Sequence, residues 1–370
     1  MKISLSQPDL NRISALAGNV VPGKSTLPIL SSMLLEAGEG GISLSSTDLD
    51  LSITLEIEAE VSSSGKAAIP AKKFSEIVRK LDALDVVIEL KGETLGVDCG
   101  KSHFVLPVQD ASDFPSLPDT KGFESFQAPS SLFKEMIRRT RYAVSTDLAR
   151  PSMNGVFLEI GKERVSMVAT DGHRLASIAS KKSLPVSEKL EAILPSKALD
   201  QLLRLLPEDG DIELGFTEKQ AFFRMDGVTL FTRLVDGPFP NYRQVVPDGN
   251  DKSMEVDTDS MLVATDRVST LATNLSTKQI KLSLSENKVG LEVASPDYGK
   301  AYEEVDTDFT GESMNIGYNA IYLLDALKNM GSERVRFKLD RPDNAGILEP
   351  VDGDADEEYF CLLMPLKLSE

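Results

Sequence analysis

Three segments carry residue types that could do chemistry. The first, Gly18-Asn19-Val20-Val21-Pro22-Gly23-Lys24-Ser25, satisfies the spacing G-x-x-x-x-G-K-[ST] of a phosphate-cradling loop. Such a loop must leave a strand and open a helix, so that backbone N–H groups and the helix N-terminus meet the phosphates. Here Leu10 to Ala17 reads as helix before the loop, and Pro28 stops any regular helix soon after Ser25. A nucleotide hydrolase built on Lys24 therefore rests on the spacing alone. The second segment, Thr170-Asp171-Gly172-His173-Arg174-Leu175, puts a histidine beside an aspartate, an acid–base pairing in principle. The other histidine is His103, no Ser or Cys nucleophile setting accompanies the pair, and neighbours on a strand point apart. Two readings stand: a turn capped by Asp171 with a permissive Gly172, or an exposed His-Arg peptide contact. The third, Asp352-Gly353-Asp354-Ala355-Asp356-Glu357-Glu358, starts like a calcium loop but lacks the glycine at position 6 and the glutamate at position 12. It reads as a solvated acidic loop between strands. No Cys/His cluster suggests zinc, and no metal or cofactor is expected.

The elements that must position these segments are written three times. Ser46-Thr47-Asp48 returns as Ala169-Thr170-Asp171, and more weakly as Ala294-Ser295-Pro296-Asp297. Ala68-Ile69-Pro70-Ala71-Lys72 matches Ile193-Leu194-Pro195-Ser196-Lys197, with Ile316-Gly317-Tyr318-Asn319 at the corresponding place in the last third. Phe114-Pro115 closes one copy as Phe239-Pro240 closes the next. An interval of roughly 125 residues is domain-sized rather than a solenoid period. The expected domains are 1–120, 121–249 and 250–370, with boundaries in stretches rich in Pro, Gly and Asp.

Residues 49–61 alternate apolar and polar throughout, which predicts one long half-buried strand. Val289, Leu291 and Val293 repeat the pattern, as do Val335, Phe337 and Leu339. Helical spacing appears at 72–82 (Phe74, Ile77, Val78, Leu81), 131–142 (Leu132, Phe133, Met136, Ile137) and 197–206 (Leu199, Leu202, Leu203, Leu206). Weaker helices are expected at 9–20, 259–271 and 317–330. The fold class is α+β, with antiparallel sheets and a helix pair in each repeat.

The chain of 370 residues carries 40 basic and 58 acidic residues, a net charge of −18. Spread evenly, that would argue against nucleic acid. The helices depart from it: Lys72, Lys73, Arg79 and Lys80 oppose only Glu76, Lys134, Arg138, Arg139 and Arg141 oppose only Glu135, and Lys197 and Arg204 oppose Asp200. Either these are solvated faces, or basic helices share one surface that suits phosphates while acidic strands face away. With no tryptophan and 6% aromatic residues there is no stacking platform for base readout. The N-terminus lacks a signal-peptide core, no apolar run reaches membrane-spanning length, and Cys99 and Cys361 form no framework, so a cytoplasmic protein is expected. The chain end, Tyr359 to Leu368, is unusually apolar, and Pro365 predicts that Pro365–Leu368 leaves the sheet to line a groove.

Ser25-Thr26-Leu27-Pro28-Ile29-Leu30, Ala169 to Ala176, Leu234 to Tyr242, and Leu363-Met364-Pro365-Leu366-Lys367-Leu368 together resemble the bacterial sliding clamp family, the DNA polymerase III beta subunits, over the whole length. The resemblance implies a DNA clamp fold that closes as a head-to-tail homodimer ring with pseudo-sixfold symmetry, twelve helices lining the hole. It implies a processivity factor without catalysis that encircles duplex DNA regardless of sequence. The implied partners are a clamp loader, DNA polymerases and repair proteins carrying a clamp-binding peptide, with no membrane. It implies a peptide pocket of Met153, Thr170, Gly172, His173, Arg174, Leu175, Pro240, Gln244, Val245, Leu362, Met364, Pro365 and Leu366, bordered by Asn315 and Tyr318. Lys24, Arg150 and Lys197 match DNA-facing positions of the family, beside the helix residues Lys72, Lys73, Arg79, Lys80, Lys134, Arg138, Arg139, Arg141 and Arg204. At the dimer seam, Leu271 of one protomer is expected against the strand near His103, Phe104, Val105 and Leu106 of the other. Gln244, where some members carry Arg, and the added Ser369-Glu370 bear on partner preference. A scaffold that never meets DNA is the remaining alternative.

Overall fold

Each helix begins where a strand ends. Ser6, closing strand Lys2–Ser6, accepts from Asp9 N at 3.3 Å and caps α1 (Gln7–Gly18). Strand Gly65–Pro70 runs into α2 (Ala71–Lys80), Glu124–Pro129 into α3 (Ser130–Thr140), and Leu190–Pro195 into α4 (Ser196–Leu205). Asp257 Oδ1 accepts from Ser260 N at 2.8 Å at the start of α5 (Thr258–Ser269), and Asn319 Oδ1 from Ile321 N at 2.9 Å at the start of α6 (Ala320–Lys328). The helices expected from apolar spacing are α2, α3 and α4, and α1, α5 and α6 fall where the other three were expected. The last starts three residues later than expected, because Met314–Asn319 is still strand. Each buries one stripe, Leu10, Ile13 and Ala17 on α1, Phe74 and Val78 on α2, and Leu323, Leu324 and Leu327 on α6. Ile77 and Leu203 are only half-buried.

The computed structural model describes residues 1–272 and 278–368. The expected Ser369-Glu370 extension lies outside the described residues. Two compact units divide the chain: residues 1–130 with 204–234, and 131–203 with 235–370. The first holds two antiparallel sheets. One orders its strands Glu60–Ser63, Lys2–Ser6, Asp85–Lys91, Thr94–Cys99 and Ser102–Pro107. The other orders Glu124–Pro129, Asp211–Phe216, Gln220–Met225, Val228–Arg233, Leu51–Ile57, Gly41–Thr47, Ser32–Gly38 and Gly65–Pro70. Here α1 packs on α2.

The second unit holds twelve antiparallel strands. They run in the order Leu190–Pro195, Gly155–Ile160, Val165–Thr170, Arg174–Ser180, Glu357–Leu363, Gly346–Pro350, Arg334–Leu339, Lys252–Asp257, Gly299–Thr310, Lys288–Ser295, Gln279–Ser285 and Met314–Asn319. Here α5 packs on α6. The expected α+β class with antiparallel sheets is the one observed.

The single long strand expected over 49–61 is corrected to two, Leu51–Ile57 and Glu60–Ser63, in different sheets. Alternation survives the change of sheet, so periodicity alone could not reveal it. Leu49 belongs to neither: its φ is +82° and its side chain is 54% exposed. Elsewhere the period held, and Val335, Phe337 and Leu339 are all buried.

Candidate functional site

The turn between strands Val165–Thr170 and Arg174–Ser180 is fastened by its own side chains. Asp171 Oδ1 accepts from His173 N at 2.9 Å and Arg174 N at 3.0 Å. Thr170 Oγ1 donates to Arg174 O at 2.7 Å and accepts from Gly172 N at 3.1 Å. Gly172 takes φ +89°, a conformation that favours glycine, and a Cβ there would stand 3.1 Å from Arg150 Nη1. The histidine beside the aspartate is therefore a turn residue: Asp171 bonds backbone N–H groups and Arg174 rather than the imidazole.

Arg174 ties this turn to what lies behind it. Its side chain, 11% exposed, donates from Nε to Asp171 at 3.0 Å, from Nη1 to Asp325 of α6 at 2.7 Å and from Nη2 to Tyr142 O at 2.7 Å. Its guanidinium also lies 4.4 Å from the centre of the Tyr322 ring. Behind it Tyr142 and Tyr359 hydroxyls meet the Cys361 thiol, at 2.7 and 3.1 Å. Burial pushes that thiol up to about 11, so it stays neutral.

In front of the turn opens a cavity of about 440 Å³, lined by Met153, Thr170, Gly172, His173, Arg174, Leu175, Pro240, Val245, Leu362 and Met364. All ten were expected from the sequence. The floor is apolar: Leu175 and Leu362 are buried, with Phe239, Tyr242 and Ala345 packed around them. Phe239 stacks on Phe157 at 5.1 Å and so holds Pro240 at the wall. His173 O accepts from Met364 N at 2.9 Å, which pins the chain end across the mouth.

Sequence reasoning missed Asn241, Tyr242, Pro247, Asp343, Asn344 and Ala345, which also line the cavity. Asn241-Tyr242 continues the Phe239-Pro240 segment and was legible there. Residues 343–345 carry no such signal: they arrive because strand Gly346–Pro350 pairs with Glu357–Leu363, Gly346 opposite Leu363.

Five expected members are not in the lining. Tyr318 is corrected outright: it is wholly buried, beneath Gly346, where a Cβ would come within 2.2 Å of its hydroxyl. Gln244 and Asn315 are exposed outside the cavity. Pro365 and Leu366 have left it because the tail does not simply leave the sheet. Leu366 N donates to Gly317 O at 2.8 Å, Gln279 Nε2 donates to Lys367 O at 3.0 Å, and the tail adds to the edge of strand Met314–Asn319.

The expected DNA-facing residues divide. Lys24, Lys72, Lys73, Arg79, Lys80, Arg138, Arg150, Lys197 and Arg204 are exposed. On α2, Glu76 bonds Lys73 at 2.9 Å, and that bond and charge, with the charges of Lys72 and Arg79, hold its carboxyl below the usual range. Lys134 is half-buried. Arg139 is corrected: only 13% exposed, it is bound to Glu135 and to Glu357 at 3.5 Å, with its guanidinium 4.9 Å from the Tyr359 ring centre. Arg141 is likewise occupied by Asp200 at 2.7 Å. Burial works against ionising Glu135, but the hydrogen bonds and charges of Arg138 and Arg139 outweigh it and hold its carboxyl low. Lys24 follows a helix end, Gly18, and precedes a single 3-10 turn at Pro28–Ser31, so no strand feeds the phosphate-loop spacing.

Among the described residues, strand Ser102–Pro107 pairs on one side only, with Thr94–Cys99. His103, Phe104 and Val105 on it are exposed, Val105 at 57%, and Leu106 is half-buried. In the second unit, among the described residues, 299–306 ladder only with Lys288–Ser295, and half-buried Leu271 follows α5, which packs on strand Gly299–Thr310.

The fold is an antiparallel α+β scaffold that carries a largely apolar pocket beside a braced turn. Three family profiles cover it: the DNA polymerase III beta subunit N-terminal domain at residues 1–118, the central domain at 127–241 and the C-terminal domain at 243–366. The beta sliding clamp of Pseudomonas aeruginosa is 32% identical over 372 residues, covering all of both chains, and that of Escherichia coli K12 is 31% identical over 378. The crystal structure of a sliding clamp from Bartonella birtlesii bound to griselimycin superposes with a TM-score of 0.93 at 32% identity, and the Bacillus subtilis clamp with 0.92 at 28%, each covering both chains fully. The chain belongs to the DNA polymerase III beta subunit family, the bacterial beta sliding clamps, non-catalytic processivity subunits of that polymerase.

Proposed function

We propose that two copies close head to tail into a ring around duplex DNA, and that partner proteins are held through the cavity at Thr170–Leu175. The observation that carries this reading is the presence in one chain of two dissimilar open strand edges. One is the apolar edge Ser102–Pro107 in the first unit, the other residues 299–306 in the second, on the strand against which α5 packs. An exposed apolar edge is an aggregation hazard unless something pairs with it. Two different edges meeting head to tail satisfy both at once, and such an interface closes when the rotation permits. Three domains, read as 1–120, 121–249 and 250–370, are supported in number by the profile matches: the gap at 119–126 spans the first boundary, while the second break falls at residue 242, short of the boundary at 249.

Within a ring, topology holds the DNA, so the −18 charge is no obstacle. Sequence-blind phosphate contacts from Lys24, Lys72, Lys73, Arg79, Lys80, Arg138, Arg150, Lys197 and Arg204 suffice, with Lys134 beside them, and weak ones favour sliding. A few buried apolar anchors with a polar rim suit a short peptide from a polymerase, clamp loader or repair protein. No helix among the described residues is long and apolar enough to cross a membrane, and a cytoplasmic location fits two buried free cysteines. The test is oligomeric state by light scattering: the wild type should be a dimer at micromolar concentration and Val105→Lys a folded monomer. A wild-type monomer would sink the ring.

A further inference from the structure

The pocket turn has a counterpart in the first unit, bond for bond. Thr47 Oγ1 donates to Leu51 O at 3.0 Å and accepts from Leu49 N at 3.0 Å. Asp48 Oδ1 accepts from Asp50 N at 3.1 Å and from Leu51 N at 2.7 Å. Position 49 takes φ +82° where position 172 takes +89°. The walls correspond too. Strand Val228–Arg233 sets Thr232 opposite Leu51, as Glu357–Leu363 sets Leu363 opposite Arg174, and Phe114-Pro115 corresponds to Phe239-Pro240.

At this place lies a cavity of about 220 Å³, whose apolar side chains Leu49, Pro115, Leu117 and Phe231 alternate with polar ones, Asp50 and Arg233 among them. Leu49, Gln220 and Arg233 also line a neighbouring depression of about 600 Å³. Leu49 is the anomaly. A leucine in the left-handed region is strained, and an exposed one gains little burial to offset that strain. Strain kept at a cavity mouth points to use. The ion pair beside it is weak: Arg233 meets Asp50 at 3.6 Å, and both side chains are mostly in solvent. An incoming carboxylate can replace Asp50 there.

We propose that this cavity is a second, weaker site for short partner peptides, taking one aliphatic or aromatic anchor beside Leu49 and a neighbouring acidic side chain at Arg233. It rests on the reading of the Thr170–Leu175 cavity as a peptide site, and it is weaker because fewer apolar side chains line it.

The test uses the full-length protein and benzophenone-bearing heptapeptides with two adjacent apolar residues, with and without a flanking aspartate, mapped by mass spectrometry after irradiation. Crosslinks are expected in two clusters, around Met153 and Met364, and around Leu49 and Phe231. Leu49→Gly should cut the second cluster at least tenfold and spare the first, without lowering the thermal midpoint, since glycine tolerates this φ. Arg233→Glu should weaken the second cluster for the aspartate peptide only. Crosslinks confined to the first cluster overturn the proposal, as does a Leu49→Gly midpoint that falls, which would make Leu49 a packing residue. A second cluster without the first would refute the reading of the larger cavity and support this one on its own. Loss of both refutes both.

Discussion

Replacing Arg174 by alanine removes the fastening behind the pocket. The guanidinium bonds Asp171, Asp325 and the Tyr142 carbonyl, at 3.0, 2.7 and 2.7 Å, from a side chain only 11% exposed. Hydrogen bonds to charged groups contribute roughly 1.5–3 kcal/mol each, and removing one partner of a buried pair costs about 3–5 kcal/mol because the other charge is stranded. Asp325 is 31% exposed and can recover some hydration, so the low end applies, about 3 kcal/mol. For a unit of roughly two hundred residues this lowers the thermal midpoint by about 6–12 °C. Lysine keeps the charge but cannot fork to two carboxylates and a carbonyl, nor stack on Tyr322, so Arg174→Lys should lose about half as much. Calorimetry on both variants, with Asp325→Ala and the double mutant, isolates the pair. The coupling should exceed about 1 kcal/mol. An Arg174→Ala midpoint within a degree or two of the wild type, or lysine performing as well as arginine, would refute the reasoning.

Four further outcomes follow from the same geometry. Deleting Met364 to Glu370 should abolish partner-peptide binding, measured by fluorescence anisotropy, and leave the dimer intact, because Met364 lines the cavity and its N–H is pinned to His173. Changing Lys72, Lys73, Arg79 and Lys80 to glutamate should shorten DNA retention and flatten its salt dependence. The same reversal at Arg139 should instead lower stability, because Arg139 is fastened to Glu135 and Glu357. Glu135 is held below its usual pKa, so its contribution is present above the unfolded value and lost as pH falls through the folded one. Below about pH 4.5 the gap between wild type and Glu135→Gln in denaturant titrations should close. Cys361, buried and raised to about 11, should resist a thiol reagent at pH 8 in the native protein and react once it is unfolded.

Much of this was legible along the chain because it is local. Helical spacing located α2, α3 and α4 within a few residues, since each buries one stripe. The Thr-Asp turn repeated because its bonds span only four residues. What escaped depended on partners distant in sequence. Nothing near residues 343–345 says that strand Gly346–Pro350 will lie beside Glu357–Leu363 and carry them to the cavity. Tyr318 sits on a strand whose alternation was too short to read, so its burial came only from the sheet it joins. Arg139 reads as part of a basic face, and its second carboxylate partner beside Glu135 is Glu357, more than two hundred residues later. The sheet change at Glu58–Ala59 left the alternating pattern intact and was invisible for that reason.

The central claim is that the protein is held on DNA by topology. It is tested by loading labelled protein onto nicked circular DNA with a cognate clamp loader, washing in high salt, and then linearising the circle. Protein that survives the wash and departs only after the cut is the predicted result. Protein that loads but washes off the intact circle is held by charge alone, and that would contradict the ring.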